Sequence, residues 1–121
     1  MDTLGVVKNL LQNYQVNLNK IKLANSQSVE SNLSLKENLG HLKQQMQLLE
    51  FSMNCMNEKE KEVIILIYKN AKSLSEVAKI LFTCKSNIYK MREKALKNLA
   101  KIYDEMKKWT TENEKWTKVN D

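Results

Sequence analysis

The side chains best suited to specific chemistry lie together near the start of a basic segment in the C-terminal half. They fill five of six consecutive positions, as Lys85, Ser86, Asn87, Tyr89 and Lys90. An asparagine amide can pair with both polar atoms on the major-groove edge of adenine, and a lysine can reach guanine or a phosphate. On the exposed face of a helix, this set predicts contact with double-stranded DNA.

The charge distribution indicates the same segment. The chain has 20 basic and 14 acidic residues, for a net charge of +6. Residues 79–108 hold nine of the basic and three of the acidic residues, so this stretch carries the whole excess and the rest of the chain is neutral. Localised positive charge is typical of contact with nucleic acid or an anionic membrane, although a solvated lysine-rich helix face would give the same composition.

Residues for catalysis or metal binding are sparse. His41 is the single histidine, and Cys55 and Cys84 form no CxxC pair, so neither a zinc site nor a disulfide framework is predicted. No glycine-rich phosphate loop and no nucleophile–base pair occurs. We therefore expect a protein that is not an enzyme, with no catalytic residues, no metal site and no cofactor.

The sequence also bears on location. The first residues lack a basic leader followed by an apolar run, which argues against a secretory signal. No apolar run approaches the ~18 residues that a membrane-spanning helix needs. We therefore expect a cytoplasmic protein that does not interact with membranes.

Composition and periodicity predict an all-α fold. The chain has no proline and only two glycines, whereas strands and hairpins depend on such turn residues. Two N-terminal stretches repeat apolar residues at steps of mostly three and four. The first stripe is Leu4, Val7, Leu11, Tyr14, Leu18 and Ile21, and the second is Leu35, Leu39, Leu42, Met46, Leu49 and Met53. Each stripe predicts a helix with a seam close to a heptad repeat.

Residues 1–55 are predicted to form a helical hairpin or coiled-coil segment. Residues 24–34, rich in serine and asparagine, predict a bend between the stripes, and Ser34 with Glu37 resembles a capping box for the second helix. We expect this segment to join two chains into a homodimer. The alternative is that both stripes pack against the C-terminal half of the same chain.

Residues 56–121 are predicted to form a helix-turn-helix domain with a long last helix. Capping signatures begin its first two helices, and short breaks at 70–72 and 82–84 separate the elements. In such a unit the second helix crosses the phosphate backbone, and the next helix projects its first residues into the major groove. Ala78 is small enough for a close helix contact, and Ile88 is expected to point inward.

Further residues are assigned from this arrangement. Ser73 and Ser75 begin the second helix, where backbone N–H groups commonly meet a phosphate, although Ser73 could serve only as a cap. Lys94 and Lys97 lie further along the basic helix and would reach the DNA backbone. Trp109 and Trp116 continue the apolar stripe of that helix, and we expect them to pack against the N-terminal helices rather than bind a partner.

Residues 56–99 resemble region four of bacterial sigma factors and the C-terminal domain of ArpU/RinA-type phage regulators. The matching positions are Glu60, Val63, Ile64, Leu66, Tyr68, Ser73, Glu76, Val77, Ala78, Leu81, Ser86, Ile88, Lys94, Ala95 and Leu99. The LuxR/FixJ-type domain is the alternative, because its members often carry a Leu-Phe pair at the turn, as Leu81-Phe82 does here. In sigma-like domains the position of Phe82 is usually a glycine.

The resemblance implies a sequence-specific transcription regulator encoded by a phage or prophage. It would bind double-stranded DNA as a homodimer, and contact with RNA polymerase is left open. Residues 1–55 are too short and too neutral for a complete sigma factor. Two other functions remain as alternatives, a small terminase-type DNA-packaging subunit and a helical factor that acts on RNA polymerase without binding DNA.

Overall fold

The computed structural model describes the backbone of residues 2–24 and 33–120 and the side chains of residues 2–23 and 39–110. All regular secondary structure in these ranges is helical, which confirms the predicted all-α fold. The α-helices are α1 (Thr3–Gln12), α2 (Tyr14–Ala24), α3 (Leu33–Asn54), α4 (Glu58–Ile64), α5 (Leu74–Ile80) and α6 (Lys85–Asn120). A π-helical stretch, Ile65–Lys69, continues α4.

The first apolar stripe forms two helices rather than one. Asp2 caps α1 by accepting a 2.8 Å hydrogen bond from the Gly5 amide. At Asn13 the side-chain amide donates to the backbone oxygen and to the side-chain oxygen of Asn9, each at 3.0 Å. Asparagine readily makes such local bonds, and here they accompany the end of α1 and the start of α2. Most of the bend predicted at 24–34, and the side chains of Ser34 and Glu37, lie outside the described residues.

One hydrophobic core joins the two halves of the chain. Its buried residues come from α1, α2, α3, the end of α4 and α6, and include Val7, Leu11, Tyr14, Met46, Leu49, Met53, Ile64, Leu96, Leu99 and Tyr103. Leu42 is half-buried and packs against this core. In the described residues, members of both stripes thus pack into one core with residues of α6. Residues 1–55 and 56–121 share this core.

A smaller apolar cluster holds the π-helical stretch, α5 and the start of α6 together. Val77 and Ala78 of α5 are buried against Ile88 of α6, and half-buried residues of the π-helical stretch, including Leu66 and Ile67, close around them. This confirms that Ala78 makes the close helix contact and that Ile88 points inward. Since Ile88 is fully buried, it fixes the rotation of the first turns of α6 about its own axis.

Polar contacts join α4 to α6 and the π-helical stretch to α3. The buried carboxylate of Glu60 in α4 accepts two hydrogen bonds, 2.8 and 3.0 Å long, from the side-chain amide of Asn98 in α6. At the end of the π-helical stretch, Lys69 pairs with Glu50 of α3 at 2.9 Å, and the Tyr14 hydroxyl donates to the same carboxylate. Burial tends to lower the pKa of Lys69, but the hydrogen bond and charge of Glu50 raise it overall.

Helix α6 is the longest element, with 36 residues. Its buried face runs from Ile88 through Ala95 and Leu99 to Tyr103, so one helix serves both apolar clusters. Trp109 is 62% exposed, so the prediction that it packs inward is wrong, and the side chain of Trp116 lies outside the described residues. Among the described helices, none combines the length and the apolar character needed to cross a bilayer.

Candidate nucleic-acid interface

Helix α5 begins at a complete capping box. The Ser73 hydroxyl accepts a 3.1 Å hydrogen bond from the Glu76 amide, and the Glu76 carboxylate accepts a 3.2 Å bond from the Ser73 amide. Both side chains, and that of Ser75, are exposed. The backbone and side-chain hydrogen bonds with Ser73 hold the pKa of Glu76 below its ordinary value. Ser73 thus has the capping role that the sequence predicted.

The turn between α5 and α6 closes on a phenylalanine in the left-handed backbone region. Phe82 has φ of 56°, and its amide donates to the Lys79 carbonyl at 3.4 Å, while the Thr83 amide donates to the Ala78 carbonyl at 2.9 Å. These paired bonds commonly end a helix, and glycine usually fills the left-handed position because it has no Cβ to clash. Ala71 occupies a second such position, with φ of 53°, between the π-helical stretch and α5.

Hydrogen bonds join the turn to the first residues of α6. The Cys84 carbonyl accepts from the amides of Asn87 and Ile88 at 3.1 and 3.2 Å. The side-chain amide of Asn87 donates to the Thr83 hydroxyl at 2.8 Å, and the Cys84 thiol lies 3.2 Å from the Ser86 hydroxyl. The bond with Ser86, followed by the Asn87 amide, lowers the pKa of Cys84. The Asn87 side chain is therefore held in place, with its oxygen and one N–H left for another partner.

The structure brings the predicted residues of α6 to one exposed end. All of them are exposed, and they are Lys85, Ser86, Asn87, Tyr89, Lys90 and Lys94. The buried Ile88 lies among them and faces the opposite way, toward α5. This end of α6 presents amide, hydroxyl, phenol and ammonium groups to solvent, which together can donate and accept hydrogen bonds and neutralise phosphate charge.

A basic stripe continues from this end along α6. It consists of Lys90, Lys94, Lys97 and Lys101, which are all exposed. Their spacing of four, three and four residues places them on one helix face, over ~16 Å of the helix axis. Lys90, Lys94 and Lys97 were predicted from the sequence to reach the DNA backbone, and the helix places Lys101 on the same face.

Tyr89 and Arg92 form an additional contact on the first turns of α6. The guanidinium of Arg92 lies over the Tyr89 ring, 5.0 Å from its centre, and pairs with Glu93 at 3.4 Å. Tyr89 is 51% exposed despite this contact. The cation over one ring face restrains the phenol while leaving its outer side open.

Sequence reasoning missed Phe82 as a surface residue. Its side chain is 95% exposed, the most exposed of the large apolar residues in the described part of the chain. The available signal was its type, because a bulky residue occupies a position where sigma-like domains usually have a glycine. The exposed Lys79 of α5 lies three residues before Phe82, and it was not predicted as a DNA-contacting residue either.

A groove of about 580 Å³ lies away from this end, between α1, α3 and α6. Val6, Leu48, Phe51 and Tyr103 contribute its apolar lining. Glutamines and His41 form much of its polar lining, and Phe51 is 64% exposed. Across the described side chains, no group of three or more histidine, cysteine or carboxylate residues is placed to hold a metal ion.

Comparisons with known proteins identify no relative of this chain. No family model, no curated protein and no solved structure matches the chain. The resemblance of residues 56–99 to sigma region four therefore stays a prediction. The arrangement of α4, α5 and α6 and the chemistry of their exposed side chains carry the functional interpretation.

Proposed function

We propose that this protein is a sequence-specific, double-stranded DNA-binding regulator of transcription that reads the major groove with the start of α6. The observation that carries the proposal is that the first turns of α6 have one buried face, at Ile88, and one exposed polar and basic face. The apolar side chain is fully buried against α5, and the polar and basic side chains around it are exposed. A helix-turn-helix presents its reading helix to DNA in this way.

The exposed groups divide into two kinds of DNA contact. Asn87 and Lys85 lie in the first turn of α6 and are suited to base edges, since amides and ammonium groups distinguish adenine and guanine there. Lys90 and Lys94 begin the basic stripe and are suited to phosphates, which position a protein without reading sequence. The start of α5, with Ser73 and Ser75 exposed, would meet the backbone on the other side of the groove.

We further propose that the protein acts as a homodimer, joined by a surface other than the two heptad-like stripes. Val7, Leu11 and Tyr14 of the first stripe and Met46, Leu49 and Met53 of the second are buried in the chain's own core. The groove surface around Phe51 and Leu48 combines an exposed aromatic ring with apolar side chains and several glutamines, and Lys107 adds a cation to its lining. Protein interfaces favour this composition over charged residues at their centre.

Selection of bound duplexes from a random-sequence pool tests the reading function. We expect enrichment of a defined site, and a two-fold symmetric site would support a dimer. Binding should weaken steeply with salt, with a slope in log–log form of about −0.9 for each phosphate contacted. A chain that retains no duplex at low salt would exclude this function and leave a protein-interaction role as the alternative.

A double variant tests the assigned helix. Asn87→Ala with Lys90→Ala should abolish preference for the selected site, because it removes a base-reading amide and a phosphate contact, while far-ultraviolet circular dichroism stays unchanged. Lys43→Ala, an exposed lysine of α3, is the matched control and should retain full affinity. Retained specific binding in the double variant would show that another element reads the DNA.

A further inference from the structure

Phe82 has one feature that opposes folding and one that contributes nothing to it. Its backbone has φ of 56°, a conformation that is unfavourable for residues with a Cβ. Its ring is 95% exposed, so folding removes almost none of its apolar surface from water. Glycine at this position would form the same turn without strain and without an exposed ring. The stability of the fold therefore gives no account of this side chain.

The usual stabilising role of an apolar residue at a helix end is also absent. Helices that end on a left-handed residue often gain a hydrophobic contact between the residues after the helix and those of its last turn. The exposure of Phe82 shows that its ring makes no substantial contact of this kind. Strained and unsupported residues of this type are concentrated at functional sites.

The location of Phe82 indicates a ligand. It lies three residues before Lys85, in the turn whose Thr83 hydroxyl accepts the hydrogen bond from Asn87. The turn and the start of α6 are thus one bonded unit. An apolar ring beside a polar and basic surface suits a partner that has both charged and apolar groups, and a DNA duplex offers phosphates together with deoxyribose carbons and thymine methyl groups.

We propose that Phe82 is a DNA-contacting residue whose ring packs against deoxyribose or thymine methyl groups at the edge of the site read by α6. This inference rests on the proposed DNA-binding function. It assigns the ring a role in affinity, whereas Lys85 and Asn87 supply the polar recognition. The ring loses its exposure to water on DNA binding rather than on folding, which accounts for its exposure in the free protein and for a side chain at a position that would favour glycine.

Three variants separate the ring from the backbone strain. Phe82→Ala removes the ring and keeps a Cβ at the left-handed position. Phe82→Gly removes the ring and relieves the strain. Ala71→Gly relieves comparable strain at the other left-handed position and keeps the ring. Each variant is measured for its urea midpoint and for its affinity toward the duplex enriched from the random pool, at one fixed salt concentration.

We expect both Phe82 variants to bind about tenfold more weakly, because burial of an aromatic ring is lost from the complex. Phe82→Gly should also have a higher urea midpoint than the wild type, so its stability and its affinity change in opposite directions. Ala71→Gly should raise the midpoint and leave affinity unchanged. Replacing thymines of the site with deoxyuridine distinguishes the two sources of contact. If deoxyuridine weakens binding by the wild type but not by the Phe82 variants, the ring contacts thymine methyl groups. If deoxyuridine does not weaken binding by the wild type, the ring contacts deoxyribose.

If Phe82→Ala binds the duplex with the same affinity as the wild type, the proposal is overturned, while the proposed DNA-binding function is unaffected. A wild-type chain that enriches and retains no duplex would overturn both. Weaker binding in Ala71→Gly to the same degree as in Phe82→Ala would also overturn it, because the backbone and not the ring would then control affinity.

Discussion

In the described backbone, two residues have positive φ and neither is a glycine. Ala71 and Phe82 adopt positive φ at helix ends, whereas Gly5 and Gly40 lie inside α1 and α3. A Cβ in the left-handed region is crowded by the neighbouring carbonyl, while glycine inside a helix adds conformational entropy to the unfolded chain. The protein therefore has a lower free energy of unfolding than it would have with glycine at the two left-handed positions and residues with a Cβ at the two positions inside the helices.

Ala71→Gly should stabilise the protein by about 1 kcal/mol, since relief of left-handed strain outweighs the greater flexibility of glycine in the unfolded state. The measurement is the free energy of unfolding in urea. Ser75→Gly, at an exposed position inside α5, is the control and should be destabilising by a similar amount. Destabilisation by Ala71→Gly would mean that the alanine methyl has a packing role.

At the residue scale, the sequence predicted the features that depend on neighbouring residues in the chain. It did not predict the features that depend on tertiary packing. Ser73 and Ala78 followed from capping and small-residue patterns that depend on neighbours in sequence, and the structure places both as expected. Trp109 was assigned to the interior because it continues an apolar stripe, yet it lies beyond Tyr103, the last buried residue of α6 in the described side chains. Periodicity shows which face of a helix is apolar but not how far its partner helices extend.

The capping box makes α5 sensitive to acid. Hydrogen bonds from Ser73 lower the pKa of Glu76 from its ordinary value of 4.5. A carboxylate whose pKa is lowered by folding stabilises the folded state above its unfolded pKa, and that contribution is lost as the pH falls through the folded value. The contribution of Glu76 is therefore present at neutral pH and disappears below pH 4.5.

Ser73→Ala should destabilise the protein by about 1 kcal/mol at neutral pH, because the Glu76 amide loses its capping partner. Thermal unfolding measured across the acidic range checks this. Glu76→Gln keeps a side-chain acceptor and lacks the charge, so its difference from the wild type should shrink as the pH falls. A difference that grows on acidification would contradict the assigned ionisation.

The link between α4 and α6 depends on one buried carboxylate and one amide. Asn98→Ala should destabilise the protein by about 2 kcal/mol, since it leaves Glu60 buried without its hydrogen-bond donor. Chemical unfolding measures this loss. Glu60→Gln with Asn98 retained keeps an acceptor and should recover part of the stability. An unchanged urea midpoint in Asn98→Ala would show that Glu60 gains an equivalent partner from solvent.

The starts of α4, α5 and α6 were predicted from sequence, but the π-helical stretch and the break at Asn13 were not. Helix starts have capping residues with a clear local pattern. A π-helical turn depends on the tertiary contacts that favour the wider winding, and here Lys69 at its end bonds Glu50 of α3. Such a contact between distant parts of the chain has no short-range sequence signal.

For the whole molecule, the sequence could not separate packing within the chain from packing between chains. A heptad-like stripe is equally suited to a partner helix of either origin. The structure places Met46, Leu49 and Met53 in the core of one chain, together with residues of α6. A disruptive change at half-buried Leu42 would therefore reduce stability whether or not the protein dimerises.

Phe51→Lys is the sharper test of the proposed homodimer. The wild type should sediment as a dimer, and this variant as a monomer with a nearly unchanged melting temperature, because the ring is 64% exposed within one chain. Gln47→Lys, one turn earlier in the same groove, should weaken the dimer less. Identical sedimentation of Phe51→Lys and the wild type would place the dimer contact elsewhere or show that the wild type is a monomer.

The continuity of α6 fixes the angular setting of its two ends. Ile88 sets the orientation of the first turns, while Leu99 and Tyr103 set the orientation of the remainder against α1 and α3. One extra residue after Glu93 would rotate these parts by about 100° relative to each other, and four would leave them about 40° from the original angle and about 6 Å further apart along the axis. Because the π-helical stretch packs in both apolar clusters, a change in the length of α6 between them would separate one cluster from its partners.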